Sequence, residues 1–230
     1  MDFLKSDTWL SKRIKKKTFF LDEKNILSFL RKKKLNKNYF IFSKTKNKKF
    51  SKLLKENNFR YITTNFQCAK KIINVKNSDI NCVVAKKKDM QAVKKISKNS
   101  YRYSRFHLDK KIPKKICDEI FIKWVESYFK KKRGDFILLY KIKNKVIGFL
   151  LLKIEKFFSL RIDLIAVDNK FKRLGISKKL INYAMFLYYK KFNYLTVGFH
   201  SHNKIAKKFY SKIGFKLKST KEIYHYYFKN

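Results

Sequence analysis

Residues 164–180 read LIAVDNKFKRLGISKKL. Leu164, Ile165, Ala166 and Val167 form a short apolar run, as in a buried strand. A basic loop follows, and Gly175 stands near its end. An amphipathic helix, expected from Ile176 to about Lys190, starts directly after that glycine. The first turn of a helix carries free N–H groups and the positive end of the helix dipole. A glycine there lets the backbone come close to a ligand. With Lys172 and Arg173 adding charge, this is the build of a phosphate cradle. It is equally the build of an ordinary strand-to-helix turn sharpened by a glycine. No GxxxxGK[ST] occurs, and a single glycine is not a dinucleotide fingerprint.

Outward from this stretch the chain reads as two unequal parts, 1–76 and 77–230. In the first, a helix is expected over Asn25 to Lys33, a strand over Asn38 to Ser43, a helix over Phe50 to Asn57 and a strand over Phe59 to Phe66. Asn74 to Asp79 has joint composition. The second part opens with a short strand, Cys82 to Ala85. A helix capped by Asp89 runs to Ser97, and a polar, aromatic loop spans Tyr101 to Lys111. Pro113 opens a longer helix with Ile116, Ile120, Trp124 and Phe129 on its buried face. Three strands follow, Phe136 to Ile142, Val146 to Ile154 and Ser159 to Val167, the first two joined as a hairpin. After the 176–190 helix come a strand, Tyr194 to Phe199, and a helix, Asn203 to Ile213, ended by Gly214. Two short aromatic strands, Phe215 to Lys218 and Glu222 to Phe228, finish the chain. The class is α/β (α+β), a mixed sheet flanked by helices with a smaller N-terminal α/β unit.

Composition narrows the function. The 230 residues include 60 Lys and Arg against 16 Asp and Glu, a formal net charge of +44. Only eight of the basic residues are Arg, whereas nucleic-acid readers favour its bidentate fork. Lys, Asn, Ile, Phe and Tyr are plentiful together, which is the mark of compositional drift towards A/T-rich codons. With 45% apolar and 17% aromatic residues the chain has the means to fold. No apolar run approaches the ~20 residues of a membrane span. Three cysteines without a CxxC argue against a disulfide framework and a zinc site, and a reducing cytoplasm is expected. His200 and His202 lack a third ligand, so no metal is expected.

Asn203, Ala206 and Tyr210 share one helix face, ahead of Gly214 and Phe215. Together with Lys172-Arg173-Leu174-Gly175-Ile176-Ser177, in this order, they resemble the GNAT-type N-acetyltransferase superfamily. In its loop pattern, Arg/Gln-x-x-Gly-x-Gly/Ala, Lys172 replaces the first residue and Ser177 the second small one. The element order from Asn81 onward is similar to the whole GNAT core. A narrower resemblance, to the dTDP-fucosamine acetyltransferase group, rests on Tyr101 to Asp109 (YRYSRFHLD), Ile112-Pro113, Ile122 to Val125, Asn58 to Ile62 and Tyr224-His225.

The resemblance implies roles. Acetyl-CoA is the cosubstrate. Backbone groups of Ile165, Ala166 and Val167 hold its pantetheine arm, and N–H groups from Arg173 through Leu174, Gly175, Ile176 and Ser177 to Lys178 hold its pyrophosphate. Asn203 bonds the coenzyme arm, and Tyr210 is the general acid. Arg105 and His107 meet the acceptor. Asp163, read as sharing a face with Ile165, is the candidate base or a structural ion-pair partner. The acceptor implied is a nucleotide-linked, dTDP-type 4-amino-4,6-dideoxy sugar that is acetylated on its amino group, for cell-surface polysaccharide synthesis; the resemblance also implies a homodimer. A protein N-terminus or lysine is the alternative acceptor. A basic nucleic-acid module on a dead GNAT fold fits less well, since Gly175 and Tyr210 are intact.

Overall fold

The computed structural model describes residues 4–31, 39–76 and 79–227. The end of the expected 25–33 helix, Asn38, part of the joint, and Phe228 lie outside them. Ten strands form one sheet in the order β1-β2-β3-β10-β4-β9-β8-β7-β6-β5. The N-terminal unit contributes β1 (Leu4–Ser6), β2 (Lys17–Leu21), β3 (Tyr39–Thr45) and β4 (Arg60–Lys71). Its helices are α1 (Thr8–Ile14), α2 (Ile26–Arg31) and α3 (Lys48–Glu56). Then come β5 (Cys82–Val84), α4 (Met90–Lys98), α5 (Lys114–Phe129), β6 (Phe136–Ile142), β7 (Lys145–Glu155) and β8 (Ser159–Val167). The chain closes with α6 (Ile176–Tyr188), β9 (Tyr194–His200), α7 (Lys204–Lys212) and β10 (Lys216–Tyr227).

The sequence reading placed nothing before Asn25, where β1, α1 and β2 lie, and two later elements differ from it. β4 runs past Phe66 to Lys71 because β9 pairs with it from Asn65 to Lys71; a partner's edge sustains the strand where propensity fades. The C-terminal residues form one strand, β10, where two were expected. It lies between β3 and β4, and a register shift at Leu217/Ser219 bends it without breaking it. The last strand thus ties the N-terminal unit into the sheet of the rest.

Strand alternation sends side chains to two faces. On one face α6 and α7 cover Leu150, Leu160, Ile162, Leu195, Val197 and Phe199. On the other, α4 and α5 cover Phe40, Phe42, Phe149, Leu151, Leu164 and Ala166. The buried stripe of α5 is Cys117, Ile120, Phe121, Val125 and Tyr128. That turns Ile116, Trp124 and Phe129 to its flank, where they are partly buried. All three cysteines are free and buried. Among the described residues no helix is long and apolar enough to cross a membrane, and no His, Cys, Asp or Glu cluster could hold a metal.

Candidate active site

β8 and β9 are parallel neighbours whose pairing runs only from Ser159↔Tyr194 to Ile162↔Val197. At that point β8 is bulged: Leu151 pairs Leu164 and Leu152 pairs Ile162, which leaves Asp163 unpaired. A bulge bends its strand and increases the local twist. Beyond it β8 stays bonded to β7 through Leu164, Ile165, Ala166 and Val167, and no register joins it to β9. The carboxyl ends of the two strands therefore part into a gap. The edges of Ile165 to Val167 offer backbone groups to an extended ligand, as expected for the pantetheine arm.

The loop after β8 opens on one end of this gap. Arg173 and Gly175 take left-handed φ values of 68° and 72°. A Cβ built on Gly175 meets no atom within 4 Å, so the space over this backbone is open. The N–H groups of Lys178 and Lys179 both donate to the Gly175 carbonyl. Those of Arg173, Leu174, Gly175, Ile176 and Ser177 donate to no backbone acceptor among the described residues. The N–H donors thus end at Ser177; the expectation that Lys178 contributes its own N–H is corrected, because that hydrogen closes the first turn of α6. The Lys172, Arg173 and Lys178 side chains are exposed around it. Five N–H donors at a helix start, flanked by three cations, fit a pyrophosphate.

Tyr210 stands on α7 and is buried. Its ring stacks on Phe199 at 5.5 Å and meets Phe215 edge-on at 5.2 Å. With Phe66, Cys68 and Leu217 these line a cavity of about 140 Å³. Burial holds the Tyr210 hydroxyl well above the usual phenol range, with the Cys68 thiol adding to it. No hydrogen bond within the described protein engages that hydroxyl, and it is kept protonated, as a proton donor needs. Asn203 caps α7, its Oδ1 accepting from the Ala206 N–H at 2.9 Å, which leaves its amide NH2 for a ligand.

The opposite face of the gap belongs to the loop between α4 and α5. Asp163 does not share the face of Ile165. The bulge turns it towards α5, where its Oδ2 accepts from Trp124 Nε1 at 2.8 Å and Tyr128 Oη at 2.9 Å. Arg133 Nε lies 3.5 Å from the same oxygen. That carboxylate oxygen is a fastening for α5. His107 is also committed: Nδ1 pairs with Ser104 Oγ at 2.8 Å and Nε2 with Asp118 Oδ1 at 3.0 Å. It organises its loop, and neither ring nitrogen is free to meet an acceptor. Arg105 is different. Its guanidinium lies over the rings of Phe42 (4.1 Å) and Phe106 (4.4 Å) and touches His225 Nε2 at 3.1 Å. Burial lowers it to about 10, and no carboxylate pairs with it among the described residues.

Sequence reasoning missed the network that sets this loop. Asp109 is 1% exposed; it accepts from Arg60 and from Tyr227 Oη at 2.6 Å, and contacts His225 Nδ1 at 2.5 Å. Arg60 lies on β4, and His225 and Tyr227 on β10. The narrower resemblance quoted Arg60, Asp109 and His225 in separate pieces; the fold makes them one cluster with Tyr227. Tyr101 was missed too. Its ring stacks on Phe121 at 4.4 Å, and its buried hydroxyl has no hydrogen-bond partner among the described residues.

Comparison with known proteins gives the same picture. A model of the acetyltransferase (GNAT) family matches residues 91–215. No curated protein matches the chain. A functionally unknown conserved protein from Staphylococcus epidermidis is similar in structure, with a TM-score of 0.64 at 11% identity, over 91% of this chain and 84% of that one. An acetyltransferase from the GNAT family of Colwellia psychrerythraea gives 0.59 at 10%, over 91% and 76%. A GCN5-related N-acetyltransferase from Kribbella flavida gives 0.59 at 10%, over 90% and 79%. At such identities the likeness speaks for the fold.

Proposed function

The chain belongs to the acetyltransferase (GNAT) family, an acetyl-CoA-dependent class, and from that premise we propose that its acceptor is a nucleotide-linked amine: the 4-amino group of a dTDP-type 4-amino-4,6-dideoxy sugar. The observation that carries the reading is the acceptor loop, where Arg105, half-buried against Phe42, Phe106 and His225, pairs with no carboxylate among the described residues. A partly desolvated cation without a partner is costly, and an anionic acceptor relieves it. The resemblance of the Tyr101 to Asp109 loop to the dTDP-fucosamine group supports the same acceptor.

The parts divide the reaction as follows. Arg173 to Ser177 hold the pyrophosphate, Ile165 to Val167 the pantetheine arm, and Asn203 the same arm through its NH2. The neutral amine attacks the thioester carbonyl, and the C–S bond breaks as the amide forms. Tyr210 donates its proton to the departing sulfur. With Asp163 Oδ2 held by two donors and facing the Arg133 guanidinium, the amine proton passes to water. Residues 77–230 form the catalytic unit, and 1–76 supply a wall of the acceptor cleft. The product serves cell-surface polysaccharide synthesis, the setting is the cytoplasm, and the enzyme works as a homodimer.

The test is direct. Purified protein is incubated with acetyl-CoA and a panel of dTDP- and UDP-linked 4-amino sugars, plus a lysine peptide and a free N-terminus. A mass gain of one acetyl group on a nucleotide sugar is expected. Acetylation of the peptides alone would assign the other acceptor class.

A further inference from the structure

The face of the sheet beneath the acceptor loop carries cations that the coenzyme site does not use. β3, β10, β4 and β9 bring them together by register. Lys44 lies opposite Ile223, Ile223 opposite Thr63, Lys221 opposite Asn65, and Asn65 opposite His200. These side chains point to the face that holds Phe42. Lys44 Nζ lies 5.9 Å from the centroid of the Phe42 ring and Arg105 Cζ 4.1 Å from it. Two cations therefore stand over one aromatic ring. Neither forms an ion pair, and nor does Lys221, among the described residues. A carboxylate that bears on both, Asp7, caps α1 through the Leu10 N–H at 2.8 Å. His200 closes the group from the end of β9, at the gap; its Nδ1 is buried and has no partner.

Lys44 is exposed, and its ammonium is lowered to about 7 by desolvation first and by Arg105, Arg161 and Lys221 next. His200 is lowered to about 3 by burial first and by the same cations next. It is neutral at pH 7 and offers a hydrogen bond instead of a charge. Below it the floor is Gly198, where a Cβ would come within 2.6 Å of Arg161 Nη2 and 2.8 Å of Gln67 Nε2. The glycine lets those polar groups lie flat across the strand.

We propose that Lys44, Arg105 and His200 form an anion seat for the diphosphate of the acceptor, built jointly by the N-terminal unit and the acceptor loop. It deepens the acceptor reading above and rests on it. A diphosphate suits the seat better than one carboxylate. Several cations converge there, and a single negative charge leaves most of the repulsion in place.

The experiment is calorimetric titration of pyrophosphate, thymidine 5′-diphosphate and acetate into the protein at ~0.15 M salt, which screens surface charge. Coenzyme A is present at saturation to fill the loop at Gly175. Pyrophosphate and thymidine 5′-diphosphate are expected to bind, and acetate to bind far more weakly. Lys44→Gln should weaken both phosphates by about tenfold or more, the loss of a charged hydrogen-bond partner. Lys48→Gln, exposed on α3, should not. The seat is overturned if Lys44→Gln binds as the parent does, if Lys48→Gln loses as much, or if acetate competes equally. Steady-state kinetics separates the two readings. A nucleotide sugar acetylated with an unchanged acceptor KM in Lys44→Gln rejects the seat and keeps the sugar. Loss of pyrophosphate binding in Lys44→Gln without acetylation of any nucleotide sugar keeps the seat and rejects the sugar.

Discussion

Gly175 separates folding from coenzyme binding, because its conformation and its surroundings make different demands. Its φ is 72° and no atom lies within 4 Å of a built Cβ. Replacing it by Ala or Glu therefore meets no clash, and the folding cost is that of left-handed backbone alone, ~1–2 kcal/mol. In a chain of this length that lowers Tm by about 2–8 °C, nearly the same for both variants. The coenzyme cost is different in kind. The side chain enters the space above the five free N–H groups, and each charge-assisted hydrogen bond lost there is worth ~1.5–3 kcal/mol. Gly175→Ala should raise the acetyl-CoA KM about tenfold. Gly175→Glu, which also sets a carboxylate against the pyrophosphate, should raise it about a hundredfold or more. At saturating acetyl-CoA the kcat stays near the parent value, since the contact is equal in ground and transition states. Scanning calorimetry and initial rates at varied acetyl-CoA measure both. A Gly175→Glu protein with the lowered Tm but parental acetyl-CoA affinity would show that the pyrophosphate lies elsewhere.

Tyr210→Phe should lower kcat by about a hundredfold or more with little change in Tm, since the hydroxyl has no protein partner to lose; turnover near the parent's rejects Tyr210 as the acid. Asp109→Asn removes the charge that pairs with the partly exposed Arg60 and meets the buried His225, and denaturant unfolding should register a loss of about 1–3 kcal/mol; a loss below about 0.5 kcal/mol would mean that the cluster is wet. His200 titrates near 3 in the fold and near 6.5 when unfolded, so the unfolded chain binds the extra proton between those values. Stability falls as pH drops through that window, and His200→Asn should flatten the slope between pH 7 and 5; an unchanged slope removes His200 from the buried set.

Local signals were enough for the elements on which the proposed coenzyme half of the site rests. Gly175 announces a left-handed residue, the residues after it announce a helix, and Asn203 to Gly214 carry cap, face and stop within one helix. These depend on neighbours in sequence, which is where propensity and spacing act. The acceptor half depends on residues far apart. Asp163 was placed on the wrong face because alternation assumes an unbroken strand, and one bulged residue reverses it. His107 looked free because its partner Asp118 lies a helix turn inside α5. Lys44 looked like any other lysine. Its position depends on β10 inserting between β3 and β4, a pairing that joins residues some 180 positions apart and that no local pattern encodes.

That pairing also changes the meaning of the +44 charge. With 60 cations and 16 anions, an unpaired lysine is the ordinary state of this chain. Being unpaired therefore carries no information, and a count of free cations over the surface would mark every face as a site. What distinguishes Lys44 and Arg105 is that they are unpaired and surrounded. Exposed lysines are hydrated, and beyond ~8 Å their charges are screened at physiological salt, so an excess of them costs the fold little. On the sheet face that holds Phe42 the field of each cation reaches the next; Lys44 is lowered to about 7, with Arg105, Arg161 and Lys221 among the causes. The few acids sharpen the contrast. Asp109, Asp118 and Asp163 are spent on the network and the helix that hold the acceptor loop. The one acid whose charge bears on both Lys44 and Arg105, Asp7, caps α1 and forms an ion pair with neither among the described residues.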